Sequence, residues 1–221
     1  MTRARNVADI IKQPFTTTLG TSNYRAGVNA GNSIASGGNY NVTIGDEAGT
    51  ALTTGDNNVA IGFEALKTED GHGNNTAVGY EALSTEDANG NSTAIGYRAL
   101  KTQNAGAEAY NIAVGVDAGL SVTTGIKNVI MGAFAGDALD ACANNVAIGF
   151  EALSTEDGHG ESTAVGYQAL KTQNAGASGL NTAIGYLSGS SITTGVQNTL
   201  VGASAGDNLT DADKNVVMGY Q

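Results

Sequence analysis

From residue 23 onwards the chain repeats one short pattern: Asn, then Val or Thr, then a small residue, then Ile or Val, then Gly, as in NVAIG at Asn58 and NTAVG at Asn75. Aligned on the glycine, the copies fall at Gly27, Gly45, Gly62, Gly79, Gly96, Gly115, Gly132, Gly149, Gly166, Gly185, Gly202 and Gly219, in steps of 17 to 19 residues. A near-constant period of this size is too short for a helical hairpin and fits one turn of a β-solenoid or parallel β-roll. Alternation within the motif predicts a short strand. The residue before each glycine (Ile44, Ile61, Val78, Ile95 and their equivalents) points to one side, and the one before that (Ala60, Ala77, Ala94, Ala113) points to the other. Neither column is charged, and a strand that is apolar or small on both faces is normally buried on both. A single roll has only one inside, so the second face predicts a partner, in the first instance another copy of the chain.

The remaining columns extend this picture. Four residues before the glycine stand Asn23, Asn41, Asn58, Asn75, Asn111, Asn128, Asn145, Asn181, Asn198 and Asn215, with Ser92 and Ser162 as the exceptions. Stacked coils would hold these amides about 4.8 Å apart, where they can bond to one another or close a turn, so they read as a structural ladder. After the glycine come Phe63, Tyr80, Tyr97, Phe150, Tyr167, Tyr186 and Tyr220. An evenly spaced aromatic row reads first as a packing ladder and second as a platform for sugars. Two places further on lies a small column, Ala65, Ala82, Ala99 and equivalents, followed by Leu or Gly. The charges at Glu64, Glu81, Arg98, Asp117 and Glu151, and the loops KTEDGHG and STEDANG, read as a solvated rim. Above the coil period lies a second one of 70 residues, which maps STAIGYRALKTQNAGA at Ser92 onto STAVGYQALKTQNAGA at Ser162. Duplication of whole four-coil blocks favours a structural rod, because it copies surface and core alike.

Two units follow: residues 1–22, where Val7, Ile10 and Ile11 before Pro14 suggest a short helix or an attachment arm, and the coiled rod over 23–221. Composition agrees. In 221 residues, 32 Gly, 4 Phe and no Trp leave little bulky apolar material for an ordinary globular core. A formal net charge of -11 argues against nucleic acid and against an anionic membrane surface. No apolar run is long enough to span a membrane, and the first residues lack the apolar region of a secretory signal. The lone Cys142 permits no internal disulfide.

Candidate chemistry is sparse. Glu69, Asp70 and His72 recur as Glu156, Asp157 and His159, and these are the two histidines of the chain. Asp70, His72, Asp157 and His159 are therefore the candidate metal ligands. Each loop offers only a fragment of a site, and no metal or other cofactor is expected. The nonapeptide calcium-roll signature is absent. The acids are repeated and alike where sugar hydrolysis needs two differently tuned carboxyls, and Cys142 has no local base. No catalytic residue emerges, so an enzyme is not expected. Paired threonines at 53 and 54, 123 and 124, and 193 and 194 are too sparse for an ice-binding row.

The motifs NNVAIGFEAL, NNTAVGYEAL and NSTAIGYRAL resemble the head repeats of trimeric autotransporter adhesins, and resemble more closely the longer N-T-A-I-G-Y-x-A-L repeats of phage tail-fibre and tail-spike-like proteins. The likeness covers residues 23–221, and the coils here are longer than those of the autotransporter heads. It implies an intertwined or side-by-side homotrimer, extracellular or in a virion. Its partners would be copies of itself, other fibre proteins, and a host-surface glycan or protein. The expected function is a fibre or adhesin segment. The alternatives are a self-assembling filament subunit, suggested by NVVMGYQ stopping inside a coil, and a polysaccharide-processing tail spike.

Overall fold

The computed structural model describes residues 20–86, 90–156 and 160–220. The arm or helix expected over residues 1–22 lies almost wholly outside them, as do Asp157 and His159. The described residues form one parallel β-solenoid, in which each coil contributes a single three-residue strand. The strands are β1 (Tyr24–Ala26), β2 (Val42–Ile44), β3 (Val59–Ile61), β4 (Thr76–Val78), β5 (Thr93–Ile95), β6 (Ile112–Val114), β7 (Val129–Met131), β8 (Val146–Ile148), β9 (Thr163–Val165), β10 (Thr182–Ile184), β11 (Thr199–Val201) and β12 (Val216–Met218). They stack in chain order as a 12-stranded sheet. Register never slips. Val59 lies beside Thr76 and Thr76 beside Thr93, so each column of the sequence is a column of the fold. No helix occurs among the described residues.

The glycine is indispensable because of where its backbone runs. Its φ lies between 124° and 144°, a region L side chains avoid, and a Cβ on any of Gly27 to Gly202 would sit 2.1 to 2.5 Å from the carbonyl oxygen of the next coil's glycine. The strand thus ends at the glycine and the chain turns there. Further left-handed residues shape the bend, two and four places later, as at Glu64 and Leu66. The fourth position is Gly or Leu throughout, and both kinds take φ between 48° and 68°.

One face of each strand forms the core. Ala60, Ala77, Ala94, Ala113 and Ala147 are fully buried, together with the small column Ala65, Ala82, Ala99, Ala118 and Ala152. Each coil then needs one large aliphatic side chain to fill its interior, and two positions share that task. Where the fourth residue after the glycine is Leu (Leu66, Leu83, Leu100, Leu153, Leu170), the seventh is Glu69, Glu86, Gln103, Glu156 or Gln173. Where the fourth is Gly (Gly31, Gly49, Gly119, Gly136, Gly189, Gly206), the seventh is Ile34, Leu52, Val122, Leu139, Ile192 or Leu209. In the second type the seventh side chain occupies the space the missing Leu would fill: a Cβ at Gly136 would lie 2.5 Å from Leu139 Cδ1, and one at Gly49 would lie 2.7 Å from Leu52 Cδ1. Close packing admits one of the two and not both.

Candidate functional site

The asparagine ladder works through the backbone more than through amide-to-amide bonds. The side-chain oxygen of each Asn accepts the main-chain N–H of its successor, Asn58 to Asn41 Oδ1 at 2.8 Å, Asn75 to Asn58 Oδ1 at 3.0 Å, and Ser92 to Asn75 Oδ1 at 3.1 Å. The same link recurs at Asn128, Asn145, Ser162, Asn198 and Asn215. The amide nitrogen usually donates to a carbonyl 14 residues on, closing its own coil: Asn41 to Gly55, Asn58 to His72, Asn128 to Cys142 and Asn198 to Ala212, at 2.8 to 2.9 Å. Direct amide-to-amide bonds occur at Asn145 and Asn215. These amides are committed within the fold, which leaves them a structural role.

The acidic loops correct the expectation of a solvated rim. Glu69, Glu86 and Glu156 are fully buried, as are Gln103 and Gln173 in the same column. With Leu filling the core, the seventh side chain turns to the ladder. Gln103 Oε1 accepts from Asn111 Nδ2 at 2.7 Å, while its own amide donates to Ser92 Oγ at 2.9 Å and to Glu86 Oε2. Gln173, Asn181, Ser162 and Glu156 repeat that network one block later. The serines that interrupt the asparagine column are therefore paired with the glutamines.

Glu69 Oε1 accepts the His72 N–H at 2.5 Å, and Oε2 accepts Asn75 Nδ2 at 3.3 Å. Glu69, Asp70 and His72 bring ligand-type atoms within 4.8 Å of one another, with His72 Nδ1 at 3.5 Å from Glu69 Oε1. Both Glu69 oxygens already accept hydrogen bonds, and Asp70 is exposed. The cluster therefore offers a cation two uncommitted side chains, short of a closed coordination shell.

Burial pushes the Glu69 carboxyl above its usual range. The His72 amide and ring oppose that shift, while Glu86 and Asp70 reinforce it. A carboxyl whose pKa is raised by folding binds its proton more tightly in the folded chain. Its contribution to stability is therefore full below the unfolded pKa and is lost as pH rises through the folded one. Melting curves should show the native chain gaining stability between neutral and mildly acidic pH, and Glu69→Gln should lose that part of the gain. Equal pH dependence in both proteins would contradict the assignment.

The aromatic row forms two stacks of three. Phe63, Tyr80 and Tyr97 have centroids 5.3 and 5.2 Å apart, and Phe150, Tyr167 and Tyr186 have centroids 5.5 and 5.2 Å apart, with interplanar angles of 11° to 16°. The Arg98 guanidinium lies 5.0 Å from the Tyr97 centroid, and Phe134 meets Phe150 edge-on. Rings stacked along the rod cover one another's faces and turn their edges outward, whereas a sugar needs an open ring face. The row is thus a packing ladder. Of the threonine pairs, Thr53, Thr123 and Thr193 spend their hydroxyls on the next coil, at Asp70, Asp140 and Thr210. Glu64 pairs with Lys67 at 2.9 Å, and hydrogen bonds donated by Lys171 and, to a lesser degree, Gln168 hold Glu151 below the usual carboxyl range. Held in that way, Glu151 is not poised as a proton donor.

The covariation between the fourth and seventh positions, and with it the burial of the three glutamates, was missed in the sequence reading. Its signal is an exchange at spacing three, Leu with Glu or Gln against Gly with Leu, Val or Ile. Comparison with known proteins adds no relative: no family profile, no curated protein and no solved structure matches this chain.

Proposed function

We propose that the chain is a structural segment of an extracellular or virion fibre, of tail-fibre or adhesin type. Copies stand side by side as a homotrimer and carry their coil loops outward for attachment to a host or a neighbouring fibre protein. The observation that carries this reading is the unbroken register of twelve three-residue strands stacked in chain order among the described residues, which makes a continuous rod. A rod of this kind spans distance and repeats a surface, which is what a fibre segment has to do. The side chains facing inward are spent on packing and on the ladder. What the coils turn outward are their loops, notably Lys67 to Gly73 apart from the buried Glu69, and the longer turns at Ala107 to Tyr110 and Ala177 to Leu180 apart from the buried Ala109 and Gly179.

At about 4.8 Å per coil, eleven intervals give a length of roughly 53 Å. Electron microscopy of the purified chain should show discrete short rods of that length. Long polymers would overturn the reading in favour of a filament subunit. Turnover of a polysaccharide, lost on Glu64→Gln or Glu151→Gln, would overturn it in favour of a tail spike.

A further inference from the structure

Charge is distributed unevenly around the rod. The outward positions of the twelve strands, first and third in each, carry no charged residue, although the chain holds 31 charged side chains (10 Lys and Arg, 21 Asp and Glu) and a net charge of -11. In the column just after the glycine, which flanks the strands, the only charged residue is Asp46. Yet this face is open. Ile95, Ile112, Met131 and Ile184 are 40 to 43 % exposed, while Ala94, Ala113, Ile130 and Ala183 on the opposite side of the same strands are fully buried. From β2 onwards the third position of every strand is Ile, Val or Met and the first is Val, Ile or Thr, so the bare sheet is uncharged along its length and apolar along one full row, which suits it to contact.

We infer that this sheet face docks against the same face of a second copy of the chain. Two copies that each carry -11 repel wherever their acids meet, and the strand face lets them touch without opposing like charges. The coil spacing is equal in both copies, so ridges and grooves can match along the entire rod. The extent is sufficient: about 53 Å of stacked strands by a width of five residues, near 13 Å, gives about 700 Å² per copy, against roughly 800 Å² per partner in a standard stable interface. The outward residues repeat between blocks, Val78, Ile95 and Val114 matching Ile148, Val165 and Ile184. Both halves of the rod therefore present the same chemistry.

This inference rests on the reading of the rod as a multi-copy assembly and specifies its interface. Light scattering coupled to size exclusion, at micromolar concentration, is expected to give a mass of three chains for the native protein; a mass of two would keep the interface and overturn the trimer. Ile95→Glu with Ile184→Glu should reduce it to one chain with an unchanged far-ultraviolet spectrum. Ala107→Glu, in an exposed loop away from the face, should leave it unaltered. Should the glutamate pair unfold the chain, Ile95→Thr with Ile184→Thr keeps strand-compatible residues and should raise the dissociation constant at least tenfold. Variants that keep the native mass and affinity would overturn the interface while leaving the multi-copy rod standing. A monomeric native chain would overturn both, including one that instead bound lipid vesicles through the face.

Discussion

Gly79→Ala is expected to abolish the cooperative fold of the coils around it, with a loss above about 4 kcal/mol, beyond what most single substitutions cost. Two effects add. The backbone at φ 139° is strained for any L side chain, and the new methyl would stand 2.1 Å from the Gly96 carbonyl oxygen and 2.6 Å from its carbon. Neither neighbour is a flexible side chain that could move aside, since both are main-chain atoms of the next coil. In a stack where each coil touches only the next, the break falls between β4 and β5 and divides the rod into two shorter pieces. Hydrogen exchange should locate it there, with protection lost first around Thr76–Val78 and Thr93–Ile95. A melting temperature near that of the native protein would refute the steric argument. Gly106→Ala is the matched control: it also has positive φ, at 64°, but no atom within 4 Å of its Cβ, so it should lose about 1 kcal/mol.

Leu66→Gly alone should destabilise by about 2 to 3 kcal/mol, and Leu66→Gly combined with Glu69→Leu should recover nearly all of that. The single change removes a fully buried side chain, a loss of about 2 to 5 kcal/mol that relief of the left-handed leucine offsets by roughly 1 kcal/mol. Glu69→Leu alone puts two large side chains into space for one and should lose about 1 to 3 kcal/mol. The pair together rebuilds a coil the chain already contains, because one block later the same two positions are Gly136 and Leu139. The ladder has a matching arrangement there: Asn145, the equivalent of Asn75, donates to Asn128 Oδ1 at 3.1 Å in place of a glutamate. A double-mutant cycle by chemical denaturation should therefore return a coupling of several kcal/mol, well above what neighbouring sites usually show. Additive losses would mean that the fourth and seventh positions do not share one core space.

The coil period, the parallel stacking, the Asn column and the one glycine per turn are all legible in the sequence for one reason. They occur in nearly every coil, so the chain serves as its own alignment and chance resemblance averages out. The glutamates of the acidic loops were not legible in the same way. Thr68-Glu69-Asp70 reads as a solvated turn because charges usually are solvated, and only the leucine three residues earlier indicates that the core is already full. Glu69 then goes inward to hold Asn75, while Asp70 beside it stays in water. Nor could residue types alone separate an aromatic row that binds sugars from one that packs. That distinction lies in ring orientation, with Tyr80 covered on both faces by Phe63 and Tyr97. The candidate metal loop shows a further limit: spacing brought Glu69, Asp70 and His72 together, but the hydrogen bonds that occupy Glu69 appear only with the backbone in place.

The asparagine bonds also have a direction in time. Asn58 closes its own coil through the His72 carbonyl and offers its oxygen to the amide of Asn75, the first residue of the next turn. A finished coil is thus a template with one acceptor ready, and a chain leaving the ribosome can be laid onto it turn by turn with contacts that are never far apart in sequence. Synthesis and folding then advance at the same front, and the open apolar strip lengthens by one rung with each turn added.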